Sequence, residues 1–404
     1  CGSTASLCRQ LSELPRCGHV GMTQGRAESA EGTLATDPPG ACAGPGKWES
    51  AAALGGTNDS QVETSAADEE RHSKENAVAE ELRDDEEYEY DEDGILDLTN
   101  SQLHSLTKVK VKESLREIDL TANRLTELED KLGNPSELKI LSLQKNQLSN
   151  VERLSLFVGL HHLDTLVLRD NELQALPEDL SYLTCLRVLD VSFNELRSMA
   201  WVATLGDSLR ELFLCNNRVR RVEGLEQHGS LQMLELGSNR IREIEGMEHL
   251  GELLELWIGR NKLSKVSGLE NLRKLRKLSF QSNRLLSLEG LDSLTELREF
   301  YCSHNGIRKI EGLTANREME ILDLSNNEIE KIENIESLTK LTDLWLNDNL
   351  VPTLDGIPDA LSTCLDTLTT VYLHNNPCAK DPRYREVMTG TLPKLAQLDA
   401  NMLR

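Results

Sequence analysis

From residue 95 onward the apolar residues recur with a fixed period, and before it they show none. The phrase L-x-x-L-x-L-x-x-N-x-L returns as LREIDLTANRL from Leu115, LKILSLQKNQL from Leu138, LQMLELGSNRI from Leu231 and MEILDLSNNEI from Met319. Its Asn-equivalent positions are Ser101, Asn123, Asn146, Asn171, Asn194, Asn217, Asn239, Asn261, Asn283, Asn305, Asn327, Asn349 and Asn376, spaced 22 to 27 residues apart and mostly by 22. Within each unit the L-x-L segment has the period of two that predicts a short strand, its leucines pointing to one side.

Thirteen such units make a leucine-rich-repeat array. The expected fold class is α/β: a solenoid with a curved parallel sheet on the concave face, helical or irregular arcs on the convex face, and a C-terminal cap. One unit cannot bury its leucines alone, so stability comes from stacking. The recurring Asn reads as structural, its amide satisfying backbone groups at the buried turn, where an unpaired polar group costs about 1–3 kcal/mol. The returning arcs carry their own phrase, as in EGMEHLGE, EGLDSLTE and ENIESLTK, with a Gly or Asn at the bend. Three segments follow: residues 1–90 as a disordered acidic tail, 91–376 as the repeat array and 377–404 as the cap.

The residue between the two inward leucines faces outward, onto the concave surface. That slot holds Asp97, Asp119, Ser142, Val167, Asp190, Phe213, Glu235, Trp257, Ser279, Tyr301, Asp323, Trp345 and Tyr372, five of them aromatic and five acidic. Aromatics beside charges on an open sheet face have the composition of a protein interface; the alternative is that they stack along the sheet for stability. Trp345 with Tyr372, and Phe213 with Trp257, are expected to form two separate anchors. The slot two residues earlier holds Glu211, Glu255, Lys277, Glu299 and Asp343. Lys277 stands between Glu255 and Glu299 on neighbouring strands and is expected to pair with both.

The 22-residue repeat, the phrase I-x-x-I-E-G-L, the string WLNDN from Trp345 and the closing segment NNPCAKDPRYREVMTGTLPKLAQLDANMLR resemble the leucine-rich-repeat regulatory subunits of protein phosphatase 1, the regulatory-subunit-seven family, from about Asp84 to Arg404. The resemblance implies a non-catalytic subunit that binds the phosphatase catalytic subunit through its concave face and controls its activity, maturation or targeting. A further inhibitor subunit can then join, and the chain is a monomer before the complex forms. Carried over residue by residue, the partner-binding surface comprises Asp190, Phe213, Glu235, Trp257, Asp323, Asp343, Trp345 and Tyr372. Asp343 is a shortened departure from the Glu common at its place in the family. Location in nucleus and cytoplasm is implied with the rest. The common short docking motif for this phosphatase is not evident; the nearest string, RKLSF, ends at Phe280 in an inward slot. An adaptor for a splicing, ciliary or tubulin-related complex is the other reading.

Charge and composition narrow the function further. The 404 residues include 68 acids against 44 bases, a formal charge of −24, which disfavours phosphate polymers and anionic lipid as partners. From Asp68 to Asp93 the chain is dominated by acids, ending in DDEEYEYDED. The nine cysteines form no C-x-x-C pair, so reduced thiols are expected, and a zinc site built from Cys1, Cys8, Cys17 and Cys42 with His19 lacks paired spacing. No phosphate loop, H-E-x-x-H or G-x-S-x-G is present, and His161 and His162 precede a strand as turn residues. No enzyme, cofactor or metal is expected.

Overall fold

The computed structural model describes residues 94–107, 109, 114–128, 136–149, 159–177 and 180–403. The expected tail of residues 1–90 and the candidate zinc cluster lie outside the described residues.

Each repeat contributes one three-residue strand: β1 (Ile95–Asp97), β2 (Glu117–Asp119), β3 (Ile140–Ser142), β4 (Thr165–Val167), β5 (Val188–Asp190), β6 (Glu211–Phe213), β7 (Met233–Glu235), β8 (Glu255–Trp257), β9 (Lys277–Ser279), β10 (Glu299–Tyr301), β11 (Ile321–Asp323), β12 (Asp343–Trp345) and β13 (Thr370–Tyr372). They pair in chain order, all parallel, and every outward slot lies in register with the next. The inward residues, Leu96 to Leu398, form one continuous apolar core. Phe280 lies fully inside it, so RKLSF cannot serve as an exposed docking motif. The arcs are mostly turns and bends, the irregular version of the expected fold. Short 3-10 helices interrupt them at Ala200–Thr204 and Ser362–Cys364.

The Asn ladder is the frame. Asn261 Nδ2 donates to the Ile258 carbonyl of its own turn at 3.1 Å and to Leu236 O of the preceding repeat at 2.9 Å, while its Oδ1 accepts from Ile241 N at 3.0 Å. The same three bonds recur at Asn123, Asn349 and Asn376. The residue just before each Asn takes a left-handed backbone, from Ala122 to Asn375, which lets the amide fold back over its own turn. At the convex bend Gly268 and Gly312 also have positive φ, and a Cβ on either would stand 2.6 Å from a carbonyl oxygen of the previous repeat. Asn334 replaces glycine at that bend with φ 59 and donates to Ile310 O at 2.6 Å.

A short α-helix, α1 (Ile357–Ala360), lies in the arc before β13, and after β13 a second, α2 (Tyr384–Thr391), leads to β14 (Gln397–Leu398), parallel to β13, and then to β15 (Asn401–Met402), antiparallel to β14. Met388, Leu392, Leu395 and Leu398 are buried there against the core. Asp399, the residue just after β14, accepts at Oδ1 from Leu373 N at 2.7 Å and His374 N at 2.9 Å. Repeat stacking thus ends on a carboxylate whose other oxygen accepts from Tyr384 OH at 3.0 Å.

Candidate functional site

The outward slots carry a second apolar cluster, separate from the core: Phe213, Met233, Trp257 and Tyr301, with Val188, Ile321 and Trp345 packed against it. Its rings continue along the sheet. Trp257 stacks on Tyr301 with centroids 5.9 Å apart, Tyr301 meets Trp345 at 6.3 Å, Trp345 meets Tyr372 edge-on at 6.1 Å, and Tyr372 meets His374 at 6.0 Å. Trp257 and Tyr301 lie two strands apart, about 9.6 Å at normal strand spacing. Their rings therefore lean toward each other over Ser279, as Tyr301 and Trp345 do over Asp323, and both small residues are buried beneath them. Such aromatic pairs contribute about 0.5–1.5 kcal/mol beyond their area.

Two glutamates hold the polar edges of this ladder. Trp257 Nε1 donates to Glu255 Oε2 at 3.1 Å, and Tyr301 OH donates to Glu299 Oε2 at 2.9 Å, each from two residues along the same strand. Lys277 bridges the two carboxylates at 4.0 and 3.2 Å, the rung expected from strand register. Burial and the adjacent Glu299 push the Tyr301 phenol well above its ordinary range. At the next aromatic the pattern breaks. Asp343 is one methylene shorter, its Oδ2 accepts from Thr342 Oγ1 at 2.7 Å, and the buried Nε1 of Trp345 has no hydrogen-bond partner.

This geometry corrects several expectations. Phe213, Trp257 and Tyr301 are not exposed; Trp257 and Tyr301 are each 3% exposed, closed over by their neighbours. Stacking along the sheet, the alternative reading, is what they do. Nor are there two anchors, because Tyr301 joins Trp257 to Trp345 in one ladder. Trp345 and Tyr372 are half-buried and leave ring surface open. Glu235 is buried in register between Phe213 and Trp257.

Asp190 and Asp323, also expected to meet a partner, are turned inward on the backbone. Asp190 is 1% exposed; its Oδ1 accepts from Ser192 N at 2.8 Å and its Oδ2 lies 3.7 Å from Arg169. Asp323 Oδ1 accepts from Ser325 N at 3.0 Å and Oγ at 2.6 Å. Asp97 and Asp119 make the same bond to Thr99 and Thr121, both at 2.9 Å. These four carboxylates cap the end of their strands, the usual Asx-turn use of aspartate. The sequence carried the signal as DLT, DLT, DVS and DLS at these places. Tyr301 and Met233, absent from the expected surface, belong to the ladder.

Beyond the ladder, His374 stands 3.4 Å from Asp399 and 3.9 Å from Asp348, on the rim of a concavity of about 370 Å³ that also involves Tyr384, Arg385 and Asn401. Among the described residues no three His, Cys, Asp or Glu side chains are placed to hold a metal, and no helix is long and apolar enough to cross a membrane.

The chain is similar to known proteins in its repeats. Family models described as "Leucine rich repeat" and "Leucine Rich repeats (2 copies)" match residues 136–196, and 273–315 with 317–359. A relative from Arabidopsis thaliana, named protein phosphatase 1 regulatory inhibitor subunit PPP1R7 homolog, is 44% identical over 145 residues, 35% of this chain and 44% of the relative. The chain thus matches less than half the length of that relative. Mouse geranylgeranyl transferase type-2 subunit alpha is 38% identical over 91 residues, 22% of this chain and 15% of that protein. Among solved structures, a leucine-rich-repeat protein of Leptospira interrogans superposes with TM-score 0.57 at 24% identity, covering 75% of this chain and 94% of the other. An internalin of Listeria monocytogenes gives 0.56 at 22% identity, covering 76% and 86%. These two likenesses speak to the fold. The chain carries leucine-rich repeats, and over the matched 145 residues it is similar to a relative named as a regulatory inhibitor subunit of protein phosphatase 1.

Proposed function

We propose that this chain binds the catalytic subunit of protein phosphatase 1 through the outward face of its sheet, restraining or directing dephosphorylation of Ser and Thr in the nucleus and cytoplasm. The observation that carries the reading is the 44% identity to a plant subunit named as a regulatory inhibitor of that phosphatase. The site supports it by its chemistry. A ladder already packed and hydrogen-bonded loses little rotamer freedom on binding, so contact area translates efficiently into affinity. Trp345 and Tyr372 supply the open ring surface, and Asp343 the adjoining negative charge, at the C-terminal end of the ladder.

The test is capture of the purified catalytic subunit by the full chain, with affinity and thermal unfolding measured in parallel. Trp345→Ala should cost about 2–4 kcal/mol of binding, as for a central interface residue. Asp343→Ala should weaken binding more at low salt than at high salt. Asp119→Asn, which keeps its turn-capping oxygen, serves as the control. Normal binding by Trp345→Ala, or loss only in step with unfolding, would sink the outward-face mechanism.

A further inference from the structure

Across the convex arcs the solenoid pairs its bases with acids one repeat away. Lys274 meets Glu252 at 2.7 Å, Arg298 meets Glu320 at 3.2 Å, and Lys340 meets Glu318 at 2.6 Å. On the flank just after the Asn turns this rule fails. The residue following the Asn is basic in four successive repeats: Arg218, Arg240, Lys262 and Arg284. Two residues further on stand Arg220 and Arg242. Backbone bonds hold the column at repeat spacing, Arg240 N to Val219 O, Lys262 N to Ile241 O and Arg284 N to Leu263 O, each 2.8 Å. Like charges are therefore stacked about 5 Å apart, an arrangement that costs stability where opposite charges would gain it.

Some of these cations are answered within the chain: Arg218 by Glu195 at 2.6 Å, and Arg221 by Glu245 at 4.0 Å. Arg220, Arg240, Arg242 and Lys262 have no carboxylate within ion-pair distance among the described residues. Together with Arg221 they line a groove of about 600 Å³, and only Glu243 and Glu245 join them there. On a chain of formal charge −24 this is a local reversal of sign.

We propose that this flank is a second docking surface, distinct from the outward sheet face, for an acidic segment of a protein partner. Four unpaired cations call for an anionic occupant. A long phosphate polymer would feel the repulsion of the whole chain, and no aromatic side chain lines the groove for bases to stack on. A short run of Asp and Glu meets the local field alone and can thread past Glu243 and Glu245. Leu286, two repeats beyond Arg242 at the same position in the unit and 70% exposed, offers an apolar contact that a protein segment can use.

The experiment is fluorescence anisotropy of a labelled poly-glutamate peptide titrated with the full chain at low and high salt. The peptide should bind the wild-type chain and a Lys274→Glu control alike, and salt should weaken both. Arg220→Glu with Arg242→Glu, both exposed positions, should bind about tenfold more weakly or worse with an unchanged melting temperature. Equal binding by that double variant, or no binding by the wild-type chain, overturns the proposal. So does preferential capture of duplex DNA or phosphatidylserine vesicles through the same two arginines.

Discussion

Asp343→Glu tests the logic of the ladder most directly. Glu255 and Glu299 each accept a hydrogen bond from the aromatic two residues on, at 3.1 and 2.9 Å, whereas Asp343 does not reach Trp345 Nε1. The added methylene extends the carboxylate by about 1.5 Å. A buried donor left unpaired costs about 1–3 kcal/mol, and a bond made in its place nets about 1. What is given up is small, because Thr342 Oγ1, the present donor to Asp343, has Glu320 O at 3.0 Å as an alternative acceptor. The longer side chain loses some rotamer freedom, leaving a gain of about 1 kcal/mol. Urea unfolding of wild type, Asp343→Glu, Trp345→Phe and the double variant completes a cycle in which the coupling should be about 1 kcal/mol, since phenylalanine has no N–H to satisfy. Indole N–H exchange of Trp345 should slow in Asp343→Glu. A stabilisation that persists undiminished in the Trp345→Phe background, or a destabilisation by Asp343→Glu alone, would refute the reasoning.

Removing residues 377–404 strips Met388, Leu392, Leu395 and Leu398 from the core; at about 1.5–3 kcal/mol for each buried side chain, unfolding should shift to much lower urea and dye binding should report exposed leucines, while an unchanged transition would rule out a capping role. Among the five described cysteines Cys185 alone is exposed, and burial pushes the Cys378 thiol up to about 11. Brief alkylation of the native protein near neutral pH should therefore label Cys185 and spare Cys215, Cys302, Cys364 and Cys378 in peptide mapping, and early labelling of Cys302 would contradict the packing. Burial also holds the Asp190 carboxyl above its ordinary range despite Arg169. A raised folded-state pKa gives stability that is full below the unfolded value, about 3.9, and is lost as pH rises through the folded one. Asp190→Asn retains an oxygen for Ser192, so it should gain on wild type as pH rises from about 4 toward neutrality; a pH-independent difference in unfolding would show that the charge is not the cause.

What could be read from sequence was whatever depends on one repeat meeting the next in fixed register. The Asn ladder, the Gly or Asn bends, the inward placement of Phe280 and Cys302, and the Lys277 rung between Glu255 and Glu299 all follow from a period of 22 and strands that alternate faces. The turn-capping aspartates were legible too, since each is followed two residues later by Ser or Thr, but the outward slot of Asp190 and Asp323 suggested a partner instead. Side-chain reach was different. Alternation places Trp257, Tyr301 and Trp345 on the outward face, yet whether a ring there stays open depends on the size of the residue on the intervening strand. Ser279 and Asp323 are small enough for the rings to close over them. Only the tertiary structure decided which carboxylate reaches which aromatic edge, because a single methylene separates the paired indole of Trp257 from the unpaired one of Trp345. Register is set by backbone hydrogen bonds that repeat identically; burial on the open face is set by side-chain volumes two strands apart, which no local pattern encodes.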